Sequence, residues 1–144
     1  MLTVRLAESR ADREACLRLR WTVFVEEQNV PPSLEVDEQD SSGAVHALAL
    51  LDGVPAGTGR FVFVDPGLAR IGRMAVVKDV RGRGVGAALL RFLEDQARRR
   101  GARRFTLNAQ VPVRRFYEKA GYRAVGNVFD DAGIPHVRMD RTPP

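Results

Sequence analysis

A chain of 144 residues with 44% apolar residues, 28% charged residues and a net charge of +5 has the length of one domain and an ordinary globular composition, which excludes disorder, a collagen-like repeat and a disulfide scaffold. Its single cysteine, Cys16, forbids an intrachain disulfide and a zinc site with two thiolates, so no metal site is expected. Its 23 basic residues are all arginine apart from Lys78 and Lys119, and such charge attracts nucleic acids and phosphorylated cofactors alike without choosing between them.

Leu2, Val4 and Leu6 alternate with polar residues, the period of a half-buried strand. The charges at Arg5, Glu8 and Arg10 interrupt any secretory signal, and the longest nearly apolar stretch, residues 44–51, is far shorter than the ~20 residues that span a bilayer. A single cytoplasmic domain over residues 1–144 with no membrane partner is therefore expected. Ser9 or Asp12 can cap a helix in which Ala15, Leu19 and Val23 recur every fourth residue beside Cys16 and Phe24. This helix is predicted to run to about Glu27, with Pro31 and Pro32 stopping it. The stretch Glu35, Asp37, Glu38, Asp40, Ser41, Ser42, Gly43 reads as an acidic loop. Strands follow over 44–51 and 54–64 around the hairpin signal Asp52-Gly53, and the turn Asp65-Pro66-Gly67 leads to another over 69–77.

The clearest helix begins after residues 81–86. Val85, Leu89, Phe92, Leu93 and Ala97 lie on one side of it, Arg91, Glu94, Asp95 and Arg98 on the other, and Gly101 ends it. Residues 105–110 form a strand, and Pro112 at a first helical position with Gly121 beyond the end brackets a two-turn helix. A last hairpin joins 122–129 to 136–139 around Asp130-Asp131-Ala132-Gly133. This order predicts an α/β (α+β) fold, a mixed, mainly antiparallel sheet flanked by helices, with its parallel pairing across the long central helix.

Arg81-Gly82-Arg83-Gly84-Val85-Gly86 lies between a strand and a helix, where backbone N–H groups are unpaired and the helix dipole is positive. Glycines let the backbone approach a ligand closely, so the segment reads as a diphosphate cradle; the plain alternative is a turn that needs positive φ. A Walker A loop fails, because Ala87-Ala88 stands where Lys-Ser or Lys-Thr is needed. A dinucleotide fingerprint on Gly82, Gly84 and Ala87 fails too, because the next strand ends in Leu107-Asn108-Ala109-Gln110 without a carboxylate.

At these residues the chain resembles the GNAT superfamily of acyl-CoA-dependent N-acyltransferases. That family's phosphate motif, Gln or Arg, two residues, Gly, one residue, then Gly or Ala, is matched by Arg81, Gly84 and Gly86. Ile71-Gly72-Arg73-Met74-Ala75-Val76 is similar to its fourth strand, and Phe116-Tyr117-Glu118-Lys119-Ala120-Gly121-Tyr122 to its late helix-strand signature. Phe24-Val25-Glu26-Glu27-Gln28, the acidic stretch from Glu35 to Asp40, and Gly133-Ile134-Pro135-His136 resemble a bacterial subgroup. Gln110 stands where Asn is common and Val113 where Ala is common.

The resemblance implies direct transfer of an acetyl group from acetyl-CoA, the acyl-donor cosubstrate, to a primary amine of a small molecule or peptide in a ternary complex. Backbone groups of Met74, Ala75 and Val76 would pair with pantetheine, and an N–H there would polarise the thioester. The N–H groups of Arg81, Gly82, Arg83, Gly84, Val85 and Gly86 would hold the diphosphate, with charge from Arg81 and Arg83. Gln110 would donate to a pantetheine carbonyl, and Phe116 belongs to the same cofactor-binding set. Tyr117 matches the family's thiolate acid, and a phenol of pKa near ~10 can protonate a thiolate that starts near ~8.5 and is disfavoured by burial.

Glu26, Glu27 and His136 are the candidate bases. Each candidate also has a structural alternative: solvated helix-end charge for the glutamates, a hydrogen-bonded histidine for His136, and a core position for Tyr117 on a stripe with Val113, Phe116 and Ala120. His46 and Cys16 read as structural. Glu26, Glu27, Glu35, Asp37, Glu38 and Asp40 gather at the end of the first helix of a basic chain and suggest a cationic acceptor. The rival reading is a non-catalytic acyl-CoA-sensing or nucleic-acid-binding module. The arginines at 98, 99, 100, 103 and 104 read as a solvated helix end, so nucleic acid is not the expected partner. A homodimer stays open.

Overall fold

In the computed structural model, which describes residues 1–35 and 43–142, seven strands form one sheet: β1 (Leu2–Leu6), β2 (Val45–Leu51), β3 (Val54–Asp65), β4 (Leu68–Val76), β5 (Arg104–Gln110), β6 (Arg123–Asp131) and β7 (Ile134–Arg141). Their spatial order is β1-β2-β3-β4-β5-β7-β6. Every described pairing is antiparallel except that of β4 with β5, the two strands joined through the long central helix. The mixed, mainly antiparallel sheet flanked by helices is as the element order requires. The last hairpin is tighter than the sequence suggests, since β6 continues to Asp131 and β7 starts at Ile134, leaving Ala132 (φ +53) and Gly133 (φ +80) as the turn.

On one face lies α1 (Arg10–Arg20), whose first turn is capped by Ser9 Oγ accepting from the Asp12 N–H at 3.1 Å. Its Ala15, Cys16 and Leu19 pack on Leu48 and Leu50. Cys16 is buried with Sγ 3.6 Å from the Ala47 carbonyl, and burial, the largest influence, pushes its thiol pKa up. The helix runs to Glu27 as its period predicts, but residues Trp21–Glu27 form a π-helix, with the Gln28 N–H bonded to the Val23 carbonyl at 3.1 Å. A single turn, α2 (Pro32–Glu35), follows. Asp37, Glu38 and Asp40 of the expected acidic loop lie outside the described residues.

On the other face α3 (Val85–Arg99) buries Val85, Leu89, Leu90, Leu93 and Ala97, each large side chain contributing about 1.5–3 kcal/mol. Close packing needs a glycine opposite it: a Cβ on Gly57 would sit 2.9 Å from Leu89 Cδ1. Beside it lies α4 (Arg114–Lys119). Pro112 opens not this helix but the 3₁₀ turn Val111–Val113 before it. Tyr122 is a core residue, its hydroxyl donating to buried Glu94 at 2.7 Å, while Arg141 holds the other carboxylate oxygen at 2.8 Å. The arginine run at the end of α3 is engaged locally. Arg98 pairs with Asp95 and lies over the Phe105 ring, and Arg100 bonds Gln96. No helix among the described residues is long and apolar enough to cross a membrane.

Candidate active site

The parallel pairing of β4 with β5 covers only Leu68–Arg70 against Arg104–Thr106. Beyond it β4 stays on β3 as far as Val76, while β5 pairs with β7 as far as Gln110 and His136. The two strands part, and a cleft of about 820 Å³ opens between them. Along residues 71–76 no strand among the described residues pairs with this edge of β4, which makes it a ready partner for an extended ligand with amide groups. Met74, Ala75 and Val76 line the opening.

A bulge interrupts β4 on this wall. Arg60 pairs with Gly72 and Thr58 with Ala75, so Arg73 and Met74 together face the single residue Gly59. Arg73 takes up the extra length with φ +52, a conformation few residues other than glycine adopt. Gly59 makes room, because a Cβ there would stand 2.5 Å from Met74 Sδ. The Arg73 guanidinium reaches α2, donating to the carbonyls of Glu35 (3.0 Å) and Leu34 (3.2 Å). The Glu35 carboxylate is buried against Arg20, with Nε to Oε1 at 2.5 Å, and Arg20 also donates to the Glu35 carbonyl at 2.8 Å.

At the end of the cleft the glycine turn enters α3. Gly82 (φ +81) and Gly84 (φ +84) adopt left-handed geometry, and nothing lies within 4 Å of where a Cβ would project from either. Gly84 is the N-cap of α3, and among the described residues no side-chain cap bond closes the start of that helix. The turn is thus an open cradle of backbone donors, which fits a diphosphate. Gly86 serves packing: a Cβ there would approach Phe116 Cζ at 3.3 Å. Val85 is buried in the core, and Arg83 is exposed and does not line the cleft.

Arg81 lines the cleft, but its guanidinium is engaged: both terminal nitrogens hold the two oxygens of Glu27, at 2.6 and 2.7 Å, and Nε donates to the Val76 carbonyl at 2.9 Å. The expected pairing of Arg81 with a diphosphate therefore competes with an existing bidentate contact. The same contact, a hydrogen-bonded ion pair, lowers the Glu27 pKa and makes that carboxylate a weaker base. Neither Glu26 nor Glu27 lines the cleft. The expected negative patch is reduced accordingly, since Glu27 is paired and Glu35 is buried against Arg20.

Tyr117 and His136 both line the cleft. Tyr117 is 8% exposed, and its hydroxyl has no hydrogen-bond partner among the described residues. No described buried polar atom is left unsatisfied, so this oxygen opens onto the cleft. Burial pushes the phenol up to about 12, and it stays protonated at neutral pH. His136 lies flat on Phe129, with Nδ1 2.7 Å from the Ile134 carbonyl. That bond puts the proton of the neutral ring on Nδ1 and leaves Nε2 as an acceptor. Gln110, beside it across the strands, donates to Gln28 Oε1 at 2.9 Å. The Gln110 amide is thus engaged with the end of the first helix, where a contact with pantetheine was expected.

Arg73, Gln28 and Arg20 are cleft or cleft-supporting residues to which the sequence assigns no role, and Glu35, which the sequence places in an acidic patch, is instead the buried partner of Arg20. One signal exists for Arg20, which stands four residues after Cys16 on the apolar stripe of α1, where a charge needs a buried partner.

Residues 9–143 match the Acetyltransferase (GNAT) domain family. The chain is 38% identical over 136 residues to an uncharacterized N-acetyltransferase of Bacillus subtilis (strain 168), YjcF, covering 93% of this chain and 95% of that one. The crystal structure of Escherichia coli ElaA superposes with a TM-score of 0.86 at 30% identity, covering 98% of this chain and 99% of ElaA. An acyl-CoA N-acyltransferase from Pseudomonas aeruginosa superposes with a TM-score of 0.83 at 32% identity, with 99% of each chain covered.

Proposed function

Because the chain belongs to the GNAT family of acyl-CoA-dependent N-acetyltransferases, we propose that it moves the acetyl group of acetyl-CoA to a primary amine by direct attack in a ternary complex. The observation that carries the reading is the hydroxyl of the buried Tyr117, which has no partner among the described residues and is open to the cleft between the splayed strands. A core tyrosine would have found a partner, as Tyr122 does in Glu94.

The open edge at Met74, Ala75 and Val76 binds the pantetheine arm, and the turn from Arg81 to Gly86 takes the diphosphate on its backbone N–H groups. An N–H of the bulged strand polarises the thioester carbonyl. The neutral amine nitrogen attacks that carbon; the C–N bond forms, the C–S bond breaks, and the products are an acetamide and CoA. His136 Nε2, free to accept, takes the proton the ammonium must lose, directly or through a water. Tyr117 gives its proton to the departing sulfur, and the second proton that the attacking nitrogen sheds as the amide forms restores the phenol. The base is thus assigned to His136 rather than to Glu26 or Glu27, which stand off the cleft.

The acceptor is a small molecule or peptide bearing a primary amine. Of the acidic residues that suggest a cationic acceptor, Glu27 and Glu35 have their charges taken up by Arg81 and Arg20. The test is free-thiol release from acetyl-CoA over a panel of cationic, neutral and anionic amines, with the product identified by mass. Transfer to at least one amine is expected. Tight acetyl-CoA binding with no transfer across the panel would favour the sensing module.

A further inference from the structure

The bulge in β4 carries an arginine where the backbone conformation favours glycine. Arg73 has φ +52 and lies in the cleft wall between Gly72 and Met74. A non-glycine residue in this region is strained, so it persists where the surroundings hold it. Here the guanidinium is fastened to the two last carbonyls of α2, and the same turn is anchored beneath by the buried Arg20–Glu35 pair. Three segments distant in sequence, the end of α1, α2 and the bulge, are thereby joined at the point where β4 leaves its regular ladder.

We infer that Arg73 is a positioning residue for acyl transfer: its clamp on α2 fixes the bulge so that the backbone of β4 meets the thioester carbonyl at the angle that polarises it. The inference rests on acetyl-CoA being the donor that occupies this edge. Arg73 touches no reacting atom; it acts through the peptide groups of its own bulge. Polarising donors are sensitive to aim, and a displacement of about 1 Å in a reacting geometry costs roughly 100-fold in rate. A clamp that held α2 in place and nothing more would affect melting without affecting the carbonyl.

The experiment uses Arg73→Gly, which keeps the left-handed conformation available while removing the clamp, and Arg73→Lys, which keeps a cation that can donate to the same carbonyls. The primary readout is the carbonyl ¹³C resonance of bound [1-¹³C]acetyl-CoA, which reports polarisation whatever the acceptor is. In the wild type it shifts downfield of free acetyl-CoA. In Arg73→Gly it returns towards the free value, the maximal rate falls by about 10- to 100-fold with the KM for acetyl-CoA within a few fold, and Arg73→Lys restores part of both. An unshifted resonance in the wild type, or an Arg73→Gly protein that keeps both shift and rate while melting earlier, overturns the inference. If Arg73→Gly does not fold, Arg73→Lys decides: wild-type shift and rate overturn the clamp, and a partial loss of both supports it. A wild type that shifts the carbonyl but acetylates no amine in the panel overturns the proposed transfer, and the clamp is then decided by the resonance alone: its return towards the free value in Arg73→Gly supports the clamp, and its retention overturns it.

Discussion

The two walls of the cleft are built on different principles. The side proposed for the donor is backbone: the edge of β4 that no described strand pairs and the glycine turn that enters α3, where Gly82 and Gly84 leave open space in place of a side chain. The side proposed for the acceptor is side chain: Gln28 bonded to Gln110, and His136 stacked on Phe129. A backbone wall can grip the part of a cosubstrate shared by every acyl-CoA and needs few particular side chains to do so. A side-chain wall can be redrawn by a few substitutions, which suits the half of the site that must distinguish one amine from another. Tyr117 stands where the walls meet.

That contrast predicts which substitutions stop chemistry and which stop binding. The largest effect is expected at the junction. Tyr117→Phe removes one oxygen, leaves the ring against Phe116 and Tyr122, and should lower the single-turnover rate by about 10²- to 10⁴-fold while leaving melting and acetyl-CoA affinity nearly unchanged. A stable mutant with full turnover would return this tyrosine to the core. Next in size is Gly84→Val on the donor wall. A β-branched residue at φ +84 is strained, and its methyl groups fill the space a diphosphate needs. Calorimetry on the folded variant should find acetyl-CoA binding weaker by about 10- to 100-fold, and wild-type affinity would dismantle the cradle.

The same contrast explains what was legible in the sequence. The glycine turn could be read because positive φ restricts residue type, so the conformation leaves its mark in the letters Gly82 and Gly84. Tyr117 and His136 were legible as candidates through the motifs around them. The ion pairs around the cleft were not, because nothing local says that Arg81 will find Glu27 or Arg20 will find Glu35; those pairs are set by how the first helix, α2 and the segment after β4 come together. The bulge was hidden for the opposite reason. A left-handed residue is betrayed in sequence when it is glycine, and here it is Arg73. The π-helical end of the first helix was equally hidden, since its apolar spacing continues that of α1.

The two tyrosines sharpen the division between site and scaffold. Tyr122→Phe also removes a single hydroxyl, yet it removes the hydrogen bond to the buried carboxylate of Glu94. A bond to a charged group is worth about 1.5–3 kcal/mol, so thermal or denaturant unfolding should register a loss of that order. Turnover of the folded enzyme should not change. If Tyr122→Phe slowed transfer as Tyr117→Phe does, the hydroxyls would have to be treated as one network across the 5.9 Å that separates the rings.

The smallest effect is expected at Glu27, and it decides which group is the base. Its carboxylate is held by both terminal nitrogens of Arg81 outside the cleft lining, in a pair whose side chains are 33% and 40% exposed. Partly exposed pairs contribute roughly 1 kcal/mol or less. Glu27→Gln keeps the shape, loses the charge and leaves Arg81 its bond to the Val76 carbonyl. The freed guanidinium gains charge to offer a diphosphate, so acetyl-CoA should bind as tightly as before or slightly tighter, with the rate within about fivefold of wild type. A base removed outright would instead cost about 10²- to 10⁴-fold, and His136→Gln is the variant expected to pay it. The ratio of the two rates, measured at saturating acetyl-CoA with one acceptor, tests the division directly. If Glu27→Gln is the slower enzyme, the carboxylate is the base despite Arg81, and His136 is left to its bond with Ile134 and its stack on Phe129.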